Sequence, residues 1–323
     1  MPIDGPVLVT GATGFIGSHV VDALTRQGAD LHALVRPGRE RLVRGATPWV
    51  ADLRDADGVA RVVAGVRPRV VFHLAGDTAG RGRVDAGAFQ DALAVNLAGT
   101  LALWRALATE GPALCRVVTA GGLEEYGNGP VPFVETQREQ PVSAYSASQV
   151  AATHLSQVWH RTHGLPVVVL RFALVYGPGQ AATFLIPALI EACLDDRDFA
   201  LTAGTQTREY VFIDDVVSAV LRAATVPGAD GTVLNIGDGV ERQVADVAHA
   251  VVRRLGCPAR LQVGGRAPRT GEVVRMVSDP ARAQAVLGWA ASTSFDDGLD
   301  RTIAWHQARA QGRLASPGDS ACR

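Results

Sequence analysis

Tyr145 and Gln149 stand four residues apart in the stretch AYSASQV. On a helix, that spacing sets both side chains on one face. A phenol with an ordinary pKa of ~10 is protonated at neutral pH and can give up that proton as a general acid. The Gln149 amide can hydrogen-bond a hydroxyl, but it brings no charge, and a nearby cation is what favours tyrosinate. The pair therefore suits proton donation and leaves general-base action near neutral pH weak. Upstream, GGLEEYG carries two adjacent carboxylates, Glu124 and Glu125. A carboxylate whose pKa is raised by burial can remove a proton. The alternative for either glutamate is to cap the loop or pair with an arginine.

A second chemistry lies at the N-terminus. VLVTGATGFIGSHVVDAL sets Gly11, Gly14 and Gly17 directly after an apolar run and into a helical pattern, with Thr13, Phe15 and Ile16 among them. Glycines there permit a tight turn and close approach of a pyrophosphate, which the free N–H groups of the helix N-terminus receive. A strand before and a helix after make this a dinucleotide motif rather than a bare turn. The next strand ends LVRPGRER, so Arg36 stands where an acid would bind the ribose hydroxyls of NAD. A guanidinium suits a 2′-phosphate, which favours NADP over NAD; the alternative is that Arg36 stacks on adenine or faces solvent. Asp52, in ADLRD with Leu53, is placed to accept from the adenine amino group. Leu74, Ala75 and Gly76 end the fourth strand beside the same crevice, and Phe172 and Val175 reach it from a later strand. His73 reads as a packed histidine rather than a proton carrier.

These residues need a scaffold, and the hydrophobic pattern supplies one. Strands are expected at 7–10, 31–35, 49–51, 70–74, 116–119 and 167–172, alternating with helices at 15–27, 57–66, 89–109 and 144–163. Continuous Val/Leu runs without alternation imply strands covered on both faces. Alternating β and α units imply an α/β fold, a doubly wound parallel (Rossmann) sheet. After Tyr176 the pattern shortens, with elements expected at 184–194, 209–213, 215–225, 233–236, 244–255, 261–263, 280–287 and 295–310. The expected division is a dinucleotide-binding domain over 1–175, with later returns near 208–238, and a smaller, partly interleaved lobe for substrate over 176–323. The last dozen residues are expected to fray.

Composition narrows the function classes. The chain has 31 Lys and Arg against 32 Asp and Glu in 323 residues, which argues against a nucleic-acid binder. Cys115, Cys193, Cys257 and Cys322 are scattered with no CxxC or Cys/His cluster, so neither a metal site nor a disulfide framework is expected. Cys115 and Cys193 read as core packing. The N-terminus lacks a leader pattern, and no apolar run is read as reaching the ~20 residues of a membrane span. A cytoplasmic location is expected.

Taken in order, TGATGFIG, ADL, HLAG, Tyr145, LRFALVYGPGQ, REYVFIDDV and LGW…TIAW resemble the extended short-chain dehydrogenases/reductases, the NAD-dependent epimerase/dehydratase group. GGLEEYG followed by GPGQ looks most like nucleotide-sugar reductases acting on 4-keto-6-deoxyhexoses. The resemblance implies a nucleotide-diphosphate sugar as substrate and Tyr145 as acid/base. It also implies a Lys one turn later that lowers the Tyr pKa, and a Ser or Thr that hydrogen-bonds the reacting oxygen. Here Gln149 replaces the Lys, and the Ser/Thr position falls on Gly122. Glu124 stands where related dehydratases carry a proton-removing glutamate, and Leu174 replaces an Asn that binds substrate. Arg208 and Arg269 match positions that clamp the diphosphate. The two long helices match those that pair in a homodimer. Three readings follow: a 4-keto reductase or epimerase with neutral Tyr145 as proton donor, a dehydratase or non-redox enzyme using Glu124, and a dinucleotide-binding scaffold without turnover.

Overall fold

The structure is a computed structural model that describes residues 3–110, 114–257, 260–267 and 272–312. Arg269, Cys322 and the C-terminal dozen singled out above lie outside the described residues, save Gly312. The chain opens with β1 (Val7–Thr10), α1 (Phe15–Arg26), β2 (Leu31–Val35), β3 (Thr47–Val50), α2 (Ala56–Val66) and β4 (Val70–His73). A helical run follows: α3 (Ala86–Ala92), a π-helical stretch (Leu93–Gly99) and α4 (Thr100–Glu110). Then come β5 (Arg116–Gly122), α5 (Ala144–His163), β6 (Val167–Phe172), β7 (Leu174–Tyr176), α6 (Leu185–Leu194), β8 (Phe199–Leu201), β9 (Thr207–Arg208) and β10 (Tyr210–Phe212). The chain ends with α7 (Ile213–Thr225), β11 (Val233–Ile236), β12 (Arg242–Gln243), α8 (Val244–Leu255), β13 (Leu261–Val263), α9 (Ala281–Leu287) and α10 (Phe295–Ala310).

Seven strands form one parallel sheet in the order β11-β6-β5-β4-β1-β2-β3. The strand order reverses between β1 and β4, and ligands of such sheets lie outside the carboxyl ends at that point. The central strands are buried along their length, because apolar layers cover both faces. One layer joins α1, α6, α7 and α8 to the sheet. The other packs Val59, Val62 and Val63 of α2 against Leu103, Trp104 and Leu107 of α4. β11 returns to the large sheet from late in the chain, while β7 pairs with β10, β9 with β12 and β8 with β13 in three two-stranded ladders.

Four expectations are corrected here. The helix expected at 89–109 is interrupted by the π-helical stretch, which turns Asn96 inward, 3% exposed. The run 86–109 spans 24 residues, and its most apolar stretch has mean hydropathy 1.3, so by length and composition it is apolar enough to cross a membrane. Yet 44% of its most apolar window is buried against the rest of the chain, and its inner face is a layer of the core. Finally, Cys193 and Cys257 form a disulfide, with Cα atoms 6.0 Å apart. They are 64 residues apart in sequence, and their pairing arises because α6 packs on α8. Cys115 is exposed, not core; its sulfur accepts from Arg69 Nη2 at 3.3 Å.

Candidate active site

The cradle begins where β1 meets α1. Gly11 has φ +73°, and a Cβ there would fall 2.6 Å from the Ala75 nitrogen. Only a glycine lets this turn lie against the end of β4. A Cβ on Gly17 would come 2.0 Å from the Gly11 carbonyl oxygen, so helix and turn pack backbone to backbone. Thr13 and Gly14 are exposed, with Phe15 and Ile16 half-buried behind them. The N-terminus of α1 has no side-chain cap and no acidic residue in its first turn. Its positive end is thus left for an anion, and the turn fits the pyrophosphate of a dinucleotide.

Other residues read as cofactor contacts lie at or near the carboxyl ends of parallel strands. Arg36 is exposed just beyond β2. Asp52 follows β3, held by the Arg54 backbone N–H at 2.9 Å and guanidinium at 2.7 Å, and the Arg54 hydrogen bonds bring its pKa down to about 2. Leu53 is buried in the α2–α4 layer; Leu74 and Ala75 are half-buried and Gly76 exposed at the end of β4. Phe172 ends β6 and Val175 lies in β7. His73 bridges Thr10 Oγ1 at 2.8 Å and Thr100 Oγ1 at 3.0 Å. Burial pushes its pKa down to about 4, so it is a neutral, packed side chain at pH 7.

Tyr145 and Gln149 lie on the first turns of α5 and are 6% and 8% exposed. Ser143 caps this helix by accepting from the Ser146 N–H, which fixes where the phenol starts. A Cβ on Gly76 would lie 3.6 Å from Gln149 Nε2 and 3.3 Å from Asn96 Oδ1, so both amides stand at the end of β4. Asn96 Nδ2 donates to Ser148 Oγ at 2.8 Å and to the Asp77 carbonyl at 3.0 Å, locking the loop after β4 onto α5. Burial raises the Tyr145 pKa above its ordinary value, against the lowering pull of Arg81.

Arg81 was not singled out from sequence. Its guanidinium carbon lies 4.7 Å from the Tyr145 ring centroid, and Nη2 is 3.0 Å from Glu124 Oε1. The other Glu124 oxygen fills the space beside Gly122, since a Cβ on Gly122 would meet it at 2.6 Å and lie 3.7 Å from the Tyr145 hydroxyl. A carboxylate thus stands where a residue-122 side chain would be. Glu125 points the other way: it is 0% exposed, accepting from Arg171 Nε at 2.8 Å, Thr153 Oγ1 at 2.9 Å and the Gly122 N–H at 3.1 Å. Burial raises its pKa against these bonds. It is a packing anchor under the site. In sequence, AGRGR reads as a polar loop, and the 43 residues that separate Arg81 from Glu124 conceal their pairing.

The residues read as substrate contacts are spread more widely. Leu174 is half-buried in β7, its N–H bonded to the Glu209 carbonyl at 3.0 Å. Arg208 is in β9, with Nη2 donating to Glu272 at 3.2 Å and Nη1 to the Thr207 carbonyl at 2.7 Å. Among the described residues, no group of three His, Cys, Asp or Glu is placed to hold a metal.

A parallel sheet that reverses order beside a glycine-lined helix N-terminus, with a buried phenol at the same edge, defines an enzyme of the Rossmann dinucleotide class. The model of the NAD dependent epimerase/dehydratase family matches residues 7–237, and the chain belongs to that family, within the extended short-chain dehydrogenases/reductases. It is 33% identical to a UDP-glucose 4-epimerase of Mycolicibacterium smegmatis over 94% of this chain and 99% of the relative. It is 30% identical to a dTDP-glucose 4,6-dehydratase of Escherichia coli, covering 93% and 92%. Among solved structures, a UDP-glucose 4-epimerase of Thermotoga maritima with UDP-glucose superposes with TM-score 0.87 at 28% identity, covering 94% and 99%. The Thermus thermophilus UDP-glucose 4-epimerase complex with NAD gives 0.85 at 30%, covering 94% and 99%.

Proposed function

We propose that the protein reduces the 4-keto group of a nucleotide-diphosphate sugar, with Tyr145 as proton donor. The observation that carries this reading is a buried phenol whose pKa burial pushes up, set at the cofactor edge with an amide rather than a lysine one turn on. Such a phenol starts protonated, which suits the reductive direction. A nicotinamide dinucleotide, NAD or NADP, would be held by Gly11, Gly14, Gly17 and the N–H groups opening α1, and would supply the hydride. Arg36 at the end of β2 favours NADP, because a guanidinium matches a 2′-phosphate. Gln149 would hydrogen-bond the nicotinamide ribose. Leu174, Arg208 and the segments after Tyr176 other than β11 would receive the sugar nucleotide.

The Glu124 carboxylate beside Gly122 supports a second reading, proton removal next to the keto group as in a dehydratase. In this structure that carboxylate is engaged by Arg81 at 3.0 Å. The cellular setting we assign is the cytoplasm, and the assembly a homodimer through α4 and α5.

The test is spectrophotometric. Incubation with NADPH and a 4-keto-6-deoxy sugar nucleotide should oxidise NADPH stoichiometrically. Tyr145→Phe should lower kcat by ~10²–10⁴ with cofactor binding retained. Loss of water from, or inversion of, a nucleotide sugar without net NADPH consumption would sink the reductase reading.

A further inference from the structure

Position 149 carries no charge, yet the tyrosine it accompanies must lose a proton. On the reductase reading, the bound dinucleotide would supply hydride to the substrate carbon, and the carbonyl oxygen would take the π pair and then the phenolic proton. The Tyr145 oxygen keeps the O–H electron pair and with it a full negative charge. In a buried site that charge is costly without a cation close by.

We infer that Arg81, from the loop after β4, is the positioning residue that supplies this cation, doing from the other side of the ring what a lysine at 149 would do; the inference rests on the reductase reading above. The geometry carries it. The loop is fastened to the start of α5, with the Ala144 N–H donating to the Arg83 carbonyl at 3.0 Å. A Cβ on Gly80 would come 3.2 Å from the Tyr145 nitrogen, so Arg81 emerges against the first turn of that helix. Its guanidinium lies between the Tyr145 ring at 4.7 Å and the Phe184 ring at 5.4 Å. The side chain is only 33% exposed, and its Nε is buried with no hydrogen-bond partner. A guanidinium set against the phenol ring is a charge that can offset a negative oxygen formed there. Glu124 holds Nη2 at 3.0 Å and fixes the fork. A guanidinium stays protonated at every working pH, so the charge is constant.

Two measurements test this. The first does not depend on turnover: difluorotyrosine is placed at 145, where its more acidic phenol titrates within reach of fluorine NMR in the NAD-loaded protein. Arg81→Gln should move that titration up by ~1–3 pH units, and Arg81→Lys by much less. A titration unmoved by Arg81→Gln overturns the inference. The second uses turnover of the keto sugar. Arg81→Gln should lower kcat by ~10–10³-fold, and adding Gln149→Lys in that background should restore most of it. A rise in KM with kcat unchanged, or no rescue by Gln149→Lys, would make Arg81 a substrate clamp and overturn the inference. If wild type turns over no keto sugar, the reductase reading fails, while the NMR titration still decides the role of Arg81.

Discussion

At the scale of the residue, Gly122 shows why a site of this kind cannot be repaired one position at a time. The family resemblance places a Ser or Thr there, and the glycine looks like a loss. The structure shows the space already taken: a Cβ at 122 would meet Glu124 Oε2 at 2.6 Å. Gly122→Ser therefore displaces the Glu124 carboxylate and loosens its grip on Arg81. Loss of a hydrogen bond to a charged group is worth about 1.5–3 kcal/mol, so kcat should fall by ~10–100-fold rather than rise. Steady-state kinetics of Gly122→Ser, alone and with Gln149→Lys, check this. A gain from Gly122→Ser alone would show that Glu124 has no part in holding the site. Glu125 teaches the converse. Its neighbour in sequence faces the phenol, while Glu125 is sealed against Arg171 under the floor of the site. Adjacent carboxylates on one short turn cannot be told apart from sequence, because which one turns in depends on arginines 43 and 46 residues away.

At the scale of the element, His73 ties three of them together: β1 through Thr10, its own β4, and α4 through Thr100. Its pKa in the folded protein is about 4 because burial disfavours the charged ring. The unfolded value is ~6.5, so the unfolded chain binds the proton first as pH falls. The contribution to stability is complete above about pH 6.5 and is lost between there and pH 4; at pH 5 the loss is about 2 kcal/mol. His306, lowered to about 4 by burial, adds a second increment of the same sign. Urea midpoints should therefore drop between pH 7 and pH 5, and less steeply in His73→Asn; equal midpoints at the two pH values would refute the assignment. Elements of this kind were legible in proportion to how local their causes are. The bounds of α5 and α8 can be read from sequence because Gly164 and Gly256 stop them in the left-handed conformation, and Ser143 starts α5. Strands β7, β9 and β12 are two or three residues long and exist only through partners brought from elsewhere. The π-helical stretch is equally silent, because its register is set by Asn96 reaching Asp77 and Ser148.

At the scale of the whole molecule, the run α3–α4 and its neighbour α5 carry exposed apolar side chains. Leu93 and Leu101 are 38% and 36% exposed on the first, and Val158 is 44% exposed on the second. The inner faces of the same helices are fully engaged: Trp104 is 0% exposed, and its indole N–H donates to Ser156 of α5 at 3.2 Å. The two helices are thus joined on their inner sides. A net charge of −1 gives two copies little reason to repel each other. An isologous pairing of these helices with those of a second copy would form a four-helix layer. Size-exclusion chromatography with light scattering should find twice the chain mass. Leu101→Glu combined with Val158→Glu should give a monomer, because a buried unpaired carboxylate is among the costliest changes an interface can suffer. Cofactor binding should survive in that variant, since neither residue touches the glycine turn. By length and composition alone the run 86–109 is also apolar enough to cross a membrane, and the experiment separates the two. A wild-type monomer that floats with lipid vesicles would reject the dimer, whereas a dimer that ignores vesicles would show that the exposed leucines belong to a second copy of this chain.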